Sequence, residues 1–279
     1  MLRPSLATVL LAGSTLAVVS PALAGMEGAR TLIPHRAVYD LKLKDVSERS
    51  GIEGMYGRMV YEFTGSACAG YTTNFRFVTR VDTGEDMRLT DQQTTTFENL
   101  KAGSFRFDTK SFTDDKLDRQ VTGEASDQTT GIKVALAKPD ARQVELTPAQ
   151  FPTEHMLEVI ENARQGKRFF EERLFDGSED GDQSLITTTV IGKPQTPAAD
   201  DVDAGNAGEF AKKPYWPVTI AYYNEDQKTD SLPIYRMSFK LYDNGITRDL
   251  TMDYGDFVLS GTLSKLEVLD KGQPQDNCH

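Results

Sequence analysis

Beyond residue 24 the chain contains no apolar run approaching the ~20 residues that cross a bilayer as a helix. It holds two cysteines, three histidines and one tryptophan in 279 residues. The histidines, His35, His155 and His279, are scattered, so no recognisable triad or ligand cluster can be built on them. H-E-x-x-H, G-x-S-x-G and G-x-G-x-x-G are all missing, which removes the usual signatures of zinc proteases, α/β-hydrolases and dinucleotide enzymes. His155 lies beside Glu154 and reads as a surface histidine on a helix rather than a base. The chain is also short of positive charge. With 31 Lys and Arg against 42 Asp and Glu, the net charge is −11. That argues against binding nucleic acid phosphates or docking electrostatically on anionic lipid headgroups.

The first 24 residues form an export signal. Arg3 gives the positive start, Leu6 to Val19 an apolar stretch, and Pro21-Ala22-Leu23-Ala24 an A-x-A cleavage pattern. Cleavage after Ala24 is expected, releasing a soluble mature chain from Gly25 into the periplasm. No cysteine adjoins the cut, so a lipid anchor is not expected. In an oxidising compartment the two cysteines, Cys68 and Cys278, are expected to pair. Neither stands in C-x-x-C nor beside a Lys or Arg, so a structural rather than catalytic bond is expected. Closing this loop of roughly 210 residues restricts the unfolded chain by about 5 kcal/mol.

The dominant pattern is period-two alternation. Ala37, Tyr39, Leu41 and Leu43 share one face while Arg36, Asp40, Lys42 and Lys44 share the other. The same holds for Tyr71, Phe75, Phe77 and Val81, for Phe105 and Phe107, and for Tyr235, Met237, Phe239 and Leu241. Such runs predict antiparallel strands with one dry and one wet face. Asp243-Asn244-Gly245 predicts a hairpin, and Gly255 a bulge or bend. About a dozen strands follow, at the spacing of a barrel or large curved sheet. Gly51, Gly54 and Gly57 fit bends beside a strand better than a phosphate cradle.

One helix interrupts the strands. Pro152 precedes Thr153 as the expected N-cap, Glu154 occupies the first turn, and Met156, Leu157, Ile160 and Ala163 make an apolar face that Gly166 ends. A lone amphipathic helix among strands is expected to cover the concave face of the sheet. Residues 194–214, rich in Pro, Gly, Ala and Asp, have too few large apolar side chains to order themselves and are expected to form a mobile loop within one domain over 25–279.

Two further constellations bear on ligands. Asp176-Gly177-Ser178-Glu179-Asp180-Gly181-Asp182 imitates the start of a calcium loop, but position twelve is Thr187 where a bidentate Glu is needed. An acidic turn is the expectation, with no metal and no cofactor. Tyr215, Trp216 and Tyr222 are candidate ligand-contacting residues at the mouth of a curled sheet, weighed against ordinary packing.

Taken in order, the strings Gly57 to Cys68, Gly70-Tyr71, Asn74 to Phe77, Phe151 to His155, Phe175 to Glu179, Tyr215 to Val218, Asp253 to Phe257 and Gly261 to Leu263 resemble the EipB-type cell-envelope integrity proteins of Gram-negative bacteria. The resemblance covers essentially the whole mature chain. It implies a mainly β fold, an antiparallel β-spiral or open curled barrel with a helix against its concave side, reminiscent of lipoprotein carriers. It also implies a disulfide between Cys68 and Cys278 and a role in envelope integrity under stress, with no catalytic residues to carry over. The expected function is therefore non-enzymatic: envelope maintenance through a lipid, lipoprotein or protein partner held in the concave face. The alternatives are a protein-binding scaffold with a filled interior and, less favoured, an enzyme acting on envelope polymers.

Overall fold

The computed structural model describes residues 32–225 and 232–269; residues 1–24, expected to be an export signal, and Cys278 lie outside the described residues. Eight strands come first: β1 (His35–Val46), β2 (Gly54–Ser66), β3 (Gly70–Asp82), β4 (Met87–Asn99), β5 (Ser104–Thr113), β6 (Lys116–Gln128), β7 (Gly131–Lys138) and β8 (Arg142–Leu146). Helix α1 (Pro152–Arg164) follows, then β9 (Phe169–Leu174), β10 (Leu185–Ile191), the short helix α2 (Val202–Gly205), β11 (Trp216–Asn224), β12 (Tyr235–Leu241), β13 (Thr247–Asp253) and β14 (Phe257–Val268).

All fourteen strands join one antiparallel sheet, in the order β8-β7-β6-β5-β4-β3-β2-β1-β14-β13-β12-β11-β10-β9. Every neighbour in space is a neighbour in sequence except at β1–β14, where the two halves of the chain meet. There His35 stands opposite Val268 and Val46 opposite Phe257. The sheet edges are β8 and β9, which α1 connects without a ladder between them, so the spiral stays open. A single bridge spans the gap. Gln150 donates its N–H to the Arg173 carbonyl at 2.9 Å and accepts from Phe175 N–H at 2.9 Å.

The alternation read from the sequence sets the inner face. Ala37, Tyr39 and Leu41 of β1, Met59 and Phe63 of β2, Phe239 and Leu241 of β12, and Leu259 and Leu263 of β14 are buried in the main core. A second core gathers Phe105, Phe107, Phe151 and Phe175 with Val134 and Leu136 under the β5–β7 end of the sheet. Helix α1 lies inside the curl, with Val159, Ile160 and Ala163 in the main core. The Asp243–Gly245 hairpin forms as expected, but only Gly245 adopts positive φ, at +88°, and there a Cβ would stand 2.6 Å from Leu32.

Three local expectations are corrected. The residue preceding the helix is Phe151, not Thr153, with Pro152 in the first turn. The helix N-terminus is capped from a distant strand: the Glu98 carboxylate accepts Thr153 N–H at 2.7 Å and Glu154 N–H at 3.0 Å. His155 is buried rather than on the surface, 4% exposed, with Nε2 3.3 Å from the Thr187 hydroxyl. Finally, residues 194–214 are not a loose loop but are anchored by polar contacts. Asp203 accepts Asp249 N–H at 2.7 Å and Leu263 N–H at 3.2 Å, while Asn206 donates to the Leu263 carbonyl at 2.8 Å. Composition misleads here because carboxylate–amide bonds, not apolar bulk, fix the segment.

Candidate ligand-binding cup

Since neighbouring strands are antiparallel throughout, connections fall alternately on two rims. The β2–β3 turn with Cys68, the β12–β13 hairpin and the 192–215 segment share one rim. Helix α1 fills the interior towards this rim, and the Arg164 side chain reaches the Asp243 carbonyl at 3.0 Å. This end is the base. Inside it Arg248, fully buried, donates to both oxygens of Asp201 at 2.9 Å and to the Tyr242 hydroxyl at 2.8 Å.

The other rim is different. Inner-face residues of β4 and β5 near it are polar: Gln92, Thr94 and Thr96 on β4, Thr109 and Ser111 on β5. Thr94 and Thr109 share a hydroxyl hydrogen bond at 3.1 Å across the two strands. A cavity of about 290 Å³ opens against these side chains, with Arg119 and Val121 of β6 beside it and residues Asp176–Glu179 across it. Met87–Asn99 has no large apolar residue between Leu89 and Phe97 on either face. That polar run is the sequence signal for a solvated interior, and it forms no motif.

The acidic run Asp176–Asp182 builds the far wall. Gly177, at φ +70°, lies so close to the Phe107 ring that a Cβ would approach it to 2.6 Å. The acidic run connects the antiparallel neighbours β9 and β10, as an acidic hairpin turn, and the connection dips onto the second core. Its carboxylates diverge. Asp180 takes Arg119 at 2.9 Å and Glu179 stands 3.6 Å from the same guanidinium, whereas Asp182 pairs with Arg142 at 2.7 Å. Asp176 turns into the cavity, its Oδ1 accepting Ser178 N–H at 2.9 Å. Burial holds the Asp176 carboxyl above its ordinary value, against the pull of Ser178. Among the described residues no three His, Cys, Asp or Glu groups converge as a metal site.

The candidate aromatic residues do not stay together. Tyr215 sits at the base, 5% exposed, its hydroxyl 3.1 Å from Gln195 Oε1 and its ring under the Arg248 guanidinium at 4.8 Å. Trp216, half-buried, packs against the main core at the same end. Tyr222 stands seven residues along β11 from Tyr215, about 23 Å at strand rise, towards the other rim, and packs against the main core. Its ring lies 5.4 Å from Tyr235, which lies 4.8 Å from Tyr254, itself 4.8 Å from Phe257. Burial, and then the negative charge of Asp176, hold the Tyr222 proton well above the usual phenol range. Cys68 lies in the β2–β3 turn at the base and is not a free thiol. Its expected partner Cys278 is beyond the described residues.

A family model described as EipB-like matches residues 26–270. The chain belongs to the EipB-like family. It is 51% identical over 262 residues to the Cell envelope integrity protein EipB of Brucella abortus (strain 2308), covering 91% of this chain and 93% of that relative. The crystal structure of a beta-barrel-like protein of a domain of unknown function from Brucella abortus superposes with a TM-score of 0.83 at 52% identity, covering 86% of this chain and 99% of that one. The open fourteen-stranded sheet is thus the EipB-like architecture. No helix among the described residues is long and apolar enough to cross a membrane.

Proposed function

We propose that this protein maintains cell-envelope integrity from the periplasm, after removal of residues 1–24, as a non-enzymatic factor that holds a ligand or partner in its cup. The name of the Brucella relative supports the envelope role. One observation supports binding: the interior is packed by α1 and the main core at the base, yet keeps about 290 Å³ open at the other rim, near the lower limit of ligand pockets. A scaffold with a filled interior has no use for that space. What supports a non-enzymatic role is that His155 lies buried with its ring on Thr187 and takes no part in the cavity lining. The pairing of Cys68 with Cys278 belongs to this proposal as a staple on the base.

The test is complementation. A strain lacking the gene is expected to be sensitised to envelope stress, and the wild-type chain to restore resistance. Ser111→Trp, which fills the cup from β5, is expected to fold with an unchanged melting temperature and fail to restore it. Full rescue by a folded Ser111→Trp protein would dismiss the interior as the working site.

A further inference from the structure

The lining of the cup speaks to the class of ligand, on the premise that the interior is the binding site. An acyl carrier needs a dry tunnel, but here Val121 is the one apolar side chain among residues that otherwise offer hydroxyl, amide, carboxylate, guanidinium or bare backbone. Those groups stay half-buried or open along β4 and β5, so an acyl chain entering here would strip water from them without replacing their hydrogen bonds.

Charge narrows the class again. The cation in the lining, Arg119, is already bound by Asp180 at 2.9 Å and approached by Glu179 at 3.6 Å. Asp176 adds a carboxyl that pairs with no cation among the described residues. An anionic ligand would meet net negative charge and is disfavoured.

What remains is a neutral molecule rich in hydroxyls. The wall of Gln92, Thr94, Thr109 and Ser111 offers donors and acceptors in alternation, since each hydroxyl and the amide can do both. Asp176 is an acceptor aimed into the same space. The Tyr222, Tyr235 and Tyr254 rings, at 5.4 Å and 4.8 Å centroid spacing, pack on one another and take no part in the lining of the cavity. A saccharide end matches this lining: several hydroxyls, each able to donate and accept, and no charge.

We infer that the cup binds the end of a neutral saccharide, with Gln92 and Thr94 of β4, Thr109 and Ser111 of β5, and Asp176 across from them hydrogen-bonding its hydroxyls. The cup is small and open at the rim, so it suits the terminus of a glycan, the rest extending into solvent. That terminus could belong to a free glycan or to the headgroup of a glycolipid.

The experiment uses the full mature chain with maltotriose, cellotriose and triacetylchitotriose as probes, followed by calorimetry and ligand-observed NMR. Dodecyl maltoside below its micelle concentration serves as a glycolipid mimic, and laurate as an apolar comparator. At least one trisaccharide is expected to saturate the protein. Gln92→Leu and Thr94→Val, each removing a polar group at nearly constant shape, should weaken it roughly tenfold or more, with unchanged thermal midpoints. Equal affinity for maltotriose and dodecyl maltoside assigns a free glycan end, and tighter binding of the maltoside a glycolipid headgroup; both support the inference. If no trisaccharide or maltoside saturates the wild type, the inference is overturned. Saturation by laurate alone overturns it too, but leaves the cup standing as a binding site. Rescue by Ser111→Trp, in contrast, removes the cup itself.

Discussion

The carboxylate of Glu98, on the fourth strand, accepts the backbone N–H of Thr153 at 2.7 Å and that of the next residue at 3.0 Å. A helix N-terminus leaves its first N–H groups without partners and carries positive partial charge. Here the missing partner comes from 55 residues upstream, so the sheet positions the helix as well as covering it. Glu98 is 2% exposed, and burial raises its carboxyl from the ordinary 4.5 to about 7 despite the pull of the two amides.

That shift has a sign. Between about pH 4.5 and 7 folded Glu98 binds more protons than unfolded Glu98, so its contribution to stability falls as pH rises through this window. His155 runs the other way. Its folded value of about 4 lies below the ordinary 6.5, so its contribution grows from pH 4 to 6.5. Each shift is worth roughly 3 kcal/mol, and in the wild type the two slopes oppose each other. Urea melts across pH 4 to 8 should show the stability of Glu98→Gln climbing relative to wild type as pH rises. His155→Gln should decline relative to wild type over the same range. Parallel curves for all three proteins would refute the assignment.

Arg248 and Asp201 give a second prediction. The guanidinium is fully buried, with the carboxylate at 2.9 Å and Lys240 at 3.0 Å from the same acid. Asp201→Ala leaves that buried cation uncompensated and should cost about 3–5 kcal/mol, more than a surface pair ever does. The double variant Asp201→Ala with Arg248→Met should recover much of the loss, because both charges are then gone. Simple additivity of the two single effects would count against a coupled pair.

How far the sequence foretold this molecule follows from the range of the interactions. Ala37, Tyr39 and Leu41 declared their inner face because alternation is local, and with it the antiparallel sheet. Asn244-Gly245 declared its hairpin for the same reason. The Glu98 cap was invisible, since nothing in Phe97-Glu98-Asn99 distinguishes a buried carboxylate from a wet one. Asp203 was likewise hidden: its acceptors bind amides of Asp249 and Leu263, 46 and 60 residues away. The cup was half legible. Its polar strand stood in the sequence at Thr90 to Thr96, but without the register it could not be seen opposite Asp176. Tyr215 and Tyr222 appeared close because they are close in sequence, and the length of β11 carries them to opposite rims.

The inward placement of α1 predicts a third outcome. Ile160 is 2% exposed in the main core. Ile160→Ala removes apolar bulk and leaves a cavity between helix and sheet, at a cost of about 2–5 kcal/mol. Glu161→Ala, on the exposed side of the same helix, should change stability by less than about 0.5 kcal/mol. Chemical denaturation of the two variants checks this, and similar costs for both would mean the helix is not held by its apolar face.

The proposed staple sets the last prediction. Cys68 closes the β2–β3 turn at the base, flanked by Gly65 at φ +105° and Gly70 at φ +87°. A bond from there to Cys278 would tie the C-terminal end of the chain, beyond β14, to the turn between β2 and β3. The unfolded chain would then be confined within a loop of roughly 210 residues, and the effect on stability approaches about 5 kcal/mol. Thiol titration of the denatured, unreduced mature protein should find no free cysteine. Cys68→Ser paired with Cys278→Ser should lower the urea midpoint by an amount close to that caused by reductant, and reductant should have no further effect on the double variant. Two titratable thiols in the unreduced protein would remove the staple, while leaving the sheet, the helix cap and the cup as described.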